Sequence, residues 1–260
     1  MVYANSLLAL LTLAVSFTGV SAGPVPTNGK LATLPFKRSL NLSSFSDIVK
    51  ADKGRAKALK STSGGAKKRD TQISTPATNA ATHYTAEIGV GSPPTQYTLL
   101  IDTGSSNTWI GANKAYTPTS SSVKTANNVS VSYGSGSFNG TEYTDTVTLG
   151  DGLVIAGQSI GVASSSTGLD GLDGILGIGP TDLTVGTLSP ATSATIPTVT
   201  DNLFSQGIAD TATIGISFEP TTSDNDANGE LTFGGTDSSK FTGDITYVPI
   251  TSTSPSNTYW

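Results

Sequence analysis

Between Tyr84 and Gly235 the apolar residues fall into short runs broken by Gly, Pro, Asp and Ser. Tyr84–Val90 has alternating character, Gly91-Ser92-Pro93-Pro94 breaks it as a turn, and Gln96–Ile101 resumes as the next strand. Ser130–Gly136 reads as the tip of a hairpin, apolar on its flanks and Gly-rich at its turn. Thr141–Ile160 predicts further strands around a turn at Leu149-Gly150-Asp151-Gly152. Later, Thr198–Gln206 is compatible with a short helix, and Ala227–Gly235 reads as a turn plus a strand. The pattern predicts an all-β body of short strands and many turns.

The front of the chain is different. Leu7–Phe17 is mainly apolar, too short to count as a bilayer span, and is followed by small residues at Val20-Ser21-Ala22. Residues 1–22 therefore read as a signal peptide cleaved after Ala22, which predicts a secreted, extracellular product with no membrane anchor; a buried N-terminal helix is the alternative. Residues 23–69 are basic, include a helix-compatible part from Leu40 to Lys60, and end in Lys67-Lys68-Arg69.

Charge separates the two parts further. Residues 1–69 hold eleven of the 14 Lys and Arg but two acids, a balance of +9; residues 70–260 carry −14. Nucleic acid is one partner for a basic stretch, but the acidic body is an intramolecular one, and no nucleic-acid or phosphate motif occurs. There is no cysteine, so disulfides, thiol nucleophiles and Cys metal sites are excluded. The single histidine, His83, excludes His-rich metal binding; a Ser-His-Asp triad would have to use it, and no G-x-S-x-G accompanies it. His83 is expected to be an ordinary surface residue.

The candidate chemistry lies in Tyr97–Gly111, Y-T-L-L-I-D-T-G-S-S-N-T-W-I-G. An apolar run ends abruptly at Asp102, and a carboxylate directly after a buried strand is costly unless hydrogen bonds hold it. Thr103, Gly104, Ser105 and Ser106 supply hydroxyls, backbone N–H groups and a tight turn. D-T-G alone fits a strand followed by a turn. The longer apolar-apolar-D-T-G-S-S-x-x-W is far rarer.

That string resembles the pepsin-like aspartic endopeptidases, and the resemblance runs from near Tyr84 to the last residue. It includes V-S-Y-G-S-G-S at Val131–Ser137, like the family's flap, D-G-I-L-G-I-G at Asp173–Gly179, and G-E-L-T-F-G-G at Gly229–Gly235. The cysteine-free, Ser/Thr-rich style looks most like fungal polyporopepsins. The resemblance implies a pepsin-like acid protease fold, with residues 70–243 as the N-terminal catalytic lobe and 244–260 as the start of a second. Residues 23–69 would be an activation prosegment with Lys68-Arg69 as a dibasic processing site, and Lys50, Lys53, Lys57 and Lys60 are candidates to approach the catalytic acid. Asp102 would be catalytic, with Thr103 and Gly104 shaping its loop and Ser105 tuning it. Tyr133 would accept from the Trp109 indole and cover the pocket nearest the scissile bond, while Gly134 and Ser135 would contact substrate backbone. Ile175 and Leu176 would be core under the catalytic loop.

Peptide hydrolysis by carboxylates needs two of them sharing a proton, one activating water and one serving the carbonyl oxygen. Asp102 is the only member found; Asp145-Thr146-Val147 and Asp182-Leu183 do not match, and Asp170 and Asp173 read as turn acids. The chain is expected to be a C-terminally truncated piece of a two-lobed enzyme, inactive alone, whose last residues belong to a strand. Full length, it would be a monomer taking extended peptide or protein substrates, with no cofactor and no metal. Two alternatives remain: a non-catalytic peptide-binding relative, and a single-lobe protease pairing two copies of Asp102. Asn128-Val-Ser and Asn139-Gly-Thr are glycosylation sequons, usable if exposed after secretion.

Overall fold

A computed structural model describes residues 32–39, 83–150, 153–219 and 227–260. The expected signal peptide, the Leu40–Lys60 helix and the Lys68-Arg69 site lie outside these residues. The described chain forms β1 (Ala32–Ser39), β2 (His83–Val90), β3 (Thr95–Asp102), β4 (Trp109–Ile110), β5 (Val123–Ser132) and β6 (Ser137–Gly150). There follow β7 (Leu153–Thr167), β8 (Gly174–Gly177), β9 (Leu188–Ser189), one α-helix, α1 (Val199–Ser205), then β10 (Ile214–Phe218) and β11 (Gly229–Phe233). The strands lie in the order β10-β11-β1-β2-β3-β8-β4-β7-β6-β5-β9. A further β2–β6 pairing, Gly89 with Thr148 and Val90 with Val147, closes β2, β3, β8, β4, β7 and β6 into a ring.

Strands β3, β4 and β8 are covered on both faces, which is why their sequences run apolar instead of alternating. Leu99, Ile110 and Leu176 face one core, with Ile88, Val90, Tyr97, Val147, Leu149, Leu153, Ile155 and Phe233. Their neighbours Leu100, Trp109 and Ile175 face a second, with Val129, Phe138, Leu188 and Ile196. Trp109 is fully buried and stacks on Phe138 with ring centroids 4.3 Å apart. Helix α1 starts where a capping box can form: Thr198 Oγ1 accepts from Asp201 N–H, and the Asp201 carboxylate accepts from Thr198 N–H. Val199 and Leu203, four residues apart, turn its buried face into the first core.

One element was not foreseen, and two expectations need correction. First, residues 32–39 of the basic front form a strand, β1, lying between β11 and β2: Leu34 pairs opposite Leu231 and Arg38 opposite Tyr84. Leu34 is 3% exposed, so main-chain ladders and apolar packing hold this segment, not charge alone. Second, His83 is half-buried where β2 pairs with β1, and burial lowers its imidazole pKa from the ordinary value. Third, Asp244–Trp260 forms no strand; a short 3-10 turn at Ser256–Thr258 is its one regular element. A strand needs a ladder partner, and among the described residues none pairs with this segment.

Candidate active site

Asp102 is the last residue of β3, opposite Gly177 of the parallel neighbour β8. The chain leaves the sheet through Thr103-Gly104-Ser105-Ser106 and re-enters it at Trp109. A half-buried carboxylate at a strand end needs donors, and the loop provides them. Gly104 N–H donates to Oδ1 at 2.9 Å, and the Ser105 hydroxyl donates to Oδ2 at 2.5 Å. Thr103 and Gly104 are exposed at the rim; Ser105 is buried beneath it.

The loop is held from below by the segment that follows β8. Ile178 N–H donates to Asp102 O at 3.0 Å, Gly179 N–H to Ser105 O at 2.8 Å, and the Ser106 hydroxyl to Pro180 O at 2.5 Å. The approach is close enough to require glycine. A Cβ on Gly177 would lie 2.5 Å from the Ser106 carbonyl carbon, and one on Gly179 would lie 2.9 Å from Ser105 O. Asn107 closes the far side through Nδ2 to Thr187 Oγ1 at 3.1 Å. These supports from Ile178 to Thr187 are what sequence reasoning missed. The glycine alternation in D-G-I-L-G-I-G was the available signal, since it marks backbone passing under backbone.

Strands β5 and β6 form a hairpin whose four-residue tip is Tyr133-Gly134-Ser135-Gly136, closed by Tyr133 N–H donating to Gly136 O at 2.7 Å. Tyr133 Oη accepts from Trp109 Nε1 at 2.9 Å, so the hairpin tip is tied to the strand leaving the Asp102 loop. The same phenol feels the Asp102 charge. Burial pushes the phenol pKa well up; the Trp109 and Ser105 hydrogen bonds pull it down and Asp102 adds to the rise. Gly134 and Ser135 stand exposed at the tip. Asp102, Ser105, Trp109 and Tyr133 are thus one connected group, with Thr103, Gly104, Gly134 and Ser135 on exposed turns flanking it.

Other acids have local work. Asp173 Oδ2 accepts from Thr98 N–H at 2.9 Å, and Asp173 N–H donates to Thr98 O, so this residue continues the pairing of β8 with β3 by one position. Asp170 is exposed in a turn. Asp145 is fully buried and accepts from Tyr116, Ser121 and Ser122 hydroxyls at 2.6–2.7 Å and from Thr146 N–H. Glu142, 7% exposed, accepts from Thr125, Asn127 and Ser159. Among the described residues no three His, Cys, Asp or Glu side chains gather where they could hold a metal.

A family model described as eukaryotic aspartyl protease matches residues 83–260. Polyporopepsin of Irpex lacteus is 68% identical over 187 residues, covering 72% of this chain and 55% of that protein. Cathepsin E-B of Xenopus laevis is 33% identical over 186 residues, covering 65% of this chain and 44% of that protein. The crystal structure of an aspartic proteinase from Irpex lacteus superposes with a TM-score of 0.70 at 54% identity, covering 89% of this chain and 56% of the other. The chain therefore spans about half the length of the relatives it matches. A pepsin-like strand architecture, an Asp-Thr-Gly loop under a tyrosine-tipped hairpin, and a family match across most of the body converge: the chain belongs to the eukaryotic aspartyl proteases.

Proposed function

We propose that this chain carries the first catalytic lobe of a secreted aspartic endopeptidase acting at acidic pH, with Asp102 as one carboxylate of a proton-sharing pair. The observation that carries the reading is the Asp102 carboxylate itself. Both of its oxygens are held by its own loop, beneath a hairpin tip tied in through Trp109 and Tyr133. Two carboxylates about 3 Å apart cannot both ionise, so one stays protonated and serves the carbonyl oxygen while the other draws a proton from water. That split is borrowed from aspartic proteases as a class. Asp145 and Asp173 are engaged by donors in their own local structure.

In this reading Thr103, Gly104, Tyr133, Gly134 and Ser135 line the cleft, and the hairpin closes over an extended peptide, donates backbone hydrogen bonds and helps exclude water. Residues 1–22 direct secretion and residues 23–69 form the prosegment. The contrast of +9 against −14 supports a segment lying over the acidic body at neutral pH and loosened as body carboxylates protonate. The strand β1 gives that segment an anchor in the sheet.

The test is cleavage of a denatured protein substrate by a full-length form at a pH of about 3–5, where carboxylates titrate. Asp102→Asn should reduce the rate by at least about a hundredfold. Unchanged cleavage by that variant would overturn the assignment. Peptide binding without cleavage by the unaltered protein would favour a non-catalytic relative.

A further inference from the structure

The hairpin that carries Tyr133 has a second face, and that face is built from two interlocked tripeptides. In the β5–β6 ladder Asn128 lies opposite Thr141 and Ser130 lies opposite Asn139. The first sequon, Asn128-Val129-Ser130, and the second, Asn139-Gly140-Thr141, therefore place each asparagine across from the other's hydroxyl residue. Val129, between the two, is buried in the core around Trp109 and Phe138, so Asn128 and Ser130 point the opposite way. Both asparagines are exposed.

Their amides are also chemically available. The neighbouring Asn127 gives its Nδ2 to Glu142, and Asn107 and Asn202 give theirs to Thr187 and Gln158. Asn139 instead uses only its oxygen, accepting from the Ser130 hydroxyl at 2.7 Å. An N-linked sugar occupies the nitrogen and leaves that oxygen free to accept as before.

We infer that this outer face is an N-glycan attachment face, with Asn139 the principal site and Asn128 the lesser one. The order follows from the threonine in the third position of the Asn139 sequon and the pliant Gly140 in its second. The donor is a lipid-pyrophosphate-linked oligosaccharide of the secretory pathway. A bond forms between Asn139 Nδ2 and the anomeric carbon, the bond from that carbon to the pyrophosphate oxygen breaks, and the lipid pyrophosphate leaves with the amide proton. The sugar would project away from the Trp109 face, so the tip stays clear for the cleft. The inference rests on the secretory part of the proposed function.

The full chain would be expressed in a eukaryotic host twice, once with its own residues 1–22 and once with a heterologous secretion leader. Cells and medium are both analysed, and peptide-N-glycosidase in ¹⁸O-water marks each formerly glycosylated asparagine as labelled aspartate. Label at Asn139 exceeding that at Asn128, lost in both Asn139→Gln and Thr141→Val but kept in Thr141→Ser, is the expected result. An unlabelled Asn139 under the heterologous leader overturns the inference. Label with the heterologous leader but none with residues 1–22 upholds the site and sinks the secretory reading instead.

Discussion

The Trp109 indole nitrogen stands 2.9 Å from the Tyr133 phenol oxygen, and this bond joins the hairpin tip to the strand that leaves the Asp102 loop. The donor is fully buried and its ring is stacked on Phe138, so the anchor point is fixed by packing. Trp109→Phe removes the donor but keeps much of the ring. It should cost about 1 kcal/mol in urea unfolding, the worth of one hydrogen bond, whereas Trp109→Ala should cost about 3–5 kcal/mol. In a full-length active form, Tyr133→Phe should cost about 1–3 kcal/mol, because it leaves the buried Trp109 N–H without its acceptor, and lower kcat/KM.

Asp145 holds the Tyr116–Ser122 segment against β6. Burial pushes its carboxyl pKa up, but hydrogen bonds from Ser121, Tyr116, Ser122 and Thr146 outweigh this and the net shift is downward. The folded state therefore releases this proton more readily than the unfolded chain does. The resulting stability is present above the ordinary carboxylate range and is lost as pH falls through the depressed folded value. Asp145→Ala, which leaves three hydroxyls without an acceptor, should cost about 3 kcal/mol near neutrality. The gap between variant and parent, followed by urea unfolding from pH 7 downward, should hold until pH enters the ordinary aspartate range and then narrow progressively toward the depressed folded value. A gap that closes at higher pH would contradict the network.

Strand β1 covers the facing edges of β11 and β2. Leu34→Ala should destabilise by about 2–3 kcal/mol, in the range for a buried leucine. Deleting residues 32–39 should expose both edges and raise light scattering, since unpaired edges recruit other strands. A deletion that stays monodisperse would show that the ladders contribute little.

Gly177→Ala tests the loop's support. Its Cβ would meet Ser106 and Asn107 backbone at 2.5–2.7 Å, so the Asp102 loop must shift. The expected loss is about 3 kcal/mol, the upper end for overpacking. Gly171→Ala has nothing within 4 Å of its Cβ and pays only for its positive φ of 79°, about 1 kcal/mol. Thermal unfolding of the two variants should rank them in that order.

Much of the site was legible because its parts are local. Asp102 and its donors Gly104 and Ser105 lie within four consecutive residues, and Tyr133 sits in a Gly-rich hairpin whose flanks alternate. Helix α1 was expected within Thr198–Gln206, and the capping box that starts it, Thr198 with Asp201, is local in sequence. What escaped is non-local. The hydroxyl donors that satisfy the buried Asp145 come from positions 116, 121 and 122, with no spacing that marks them. Strand β1 exists because Leu231 and Phe233, some two hundred residues later, offer it a ladder. The strand expected after Asp244 failed for the converse reason: no edge among the described residues receives it.

Leu99 and Leu100, Trp109 and Ile110, and Ile175 and Leu176 each send one side chain to either core. The sheet beneath Asp102 is therefore a partition braced on both sides, and bending it means compressing one packed interior while opening gaps in the other. Such a mount resists deflection in either direction, and the hairpin tip beside it is held twice, by the Trp109–Tyr133 bond and by the β6–β7 ladder at Ser137 and Thr167.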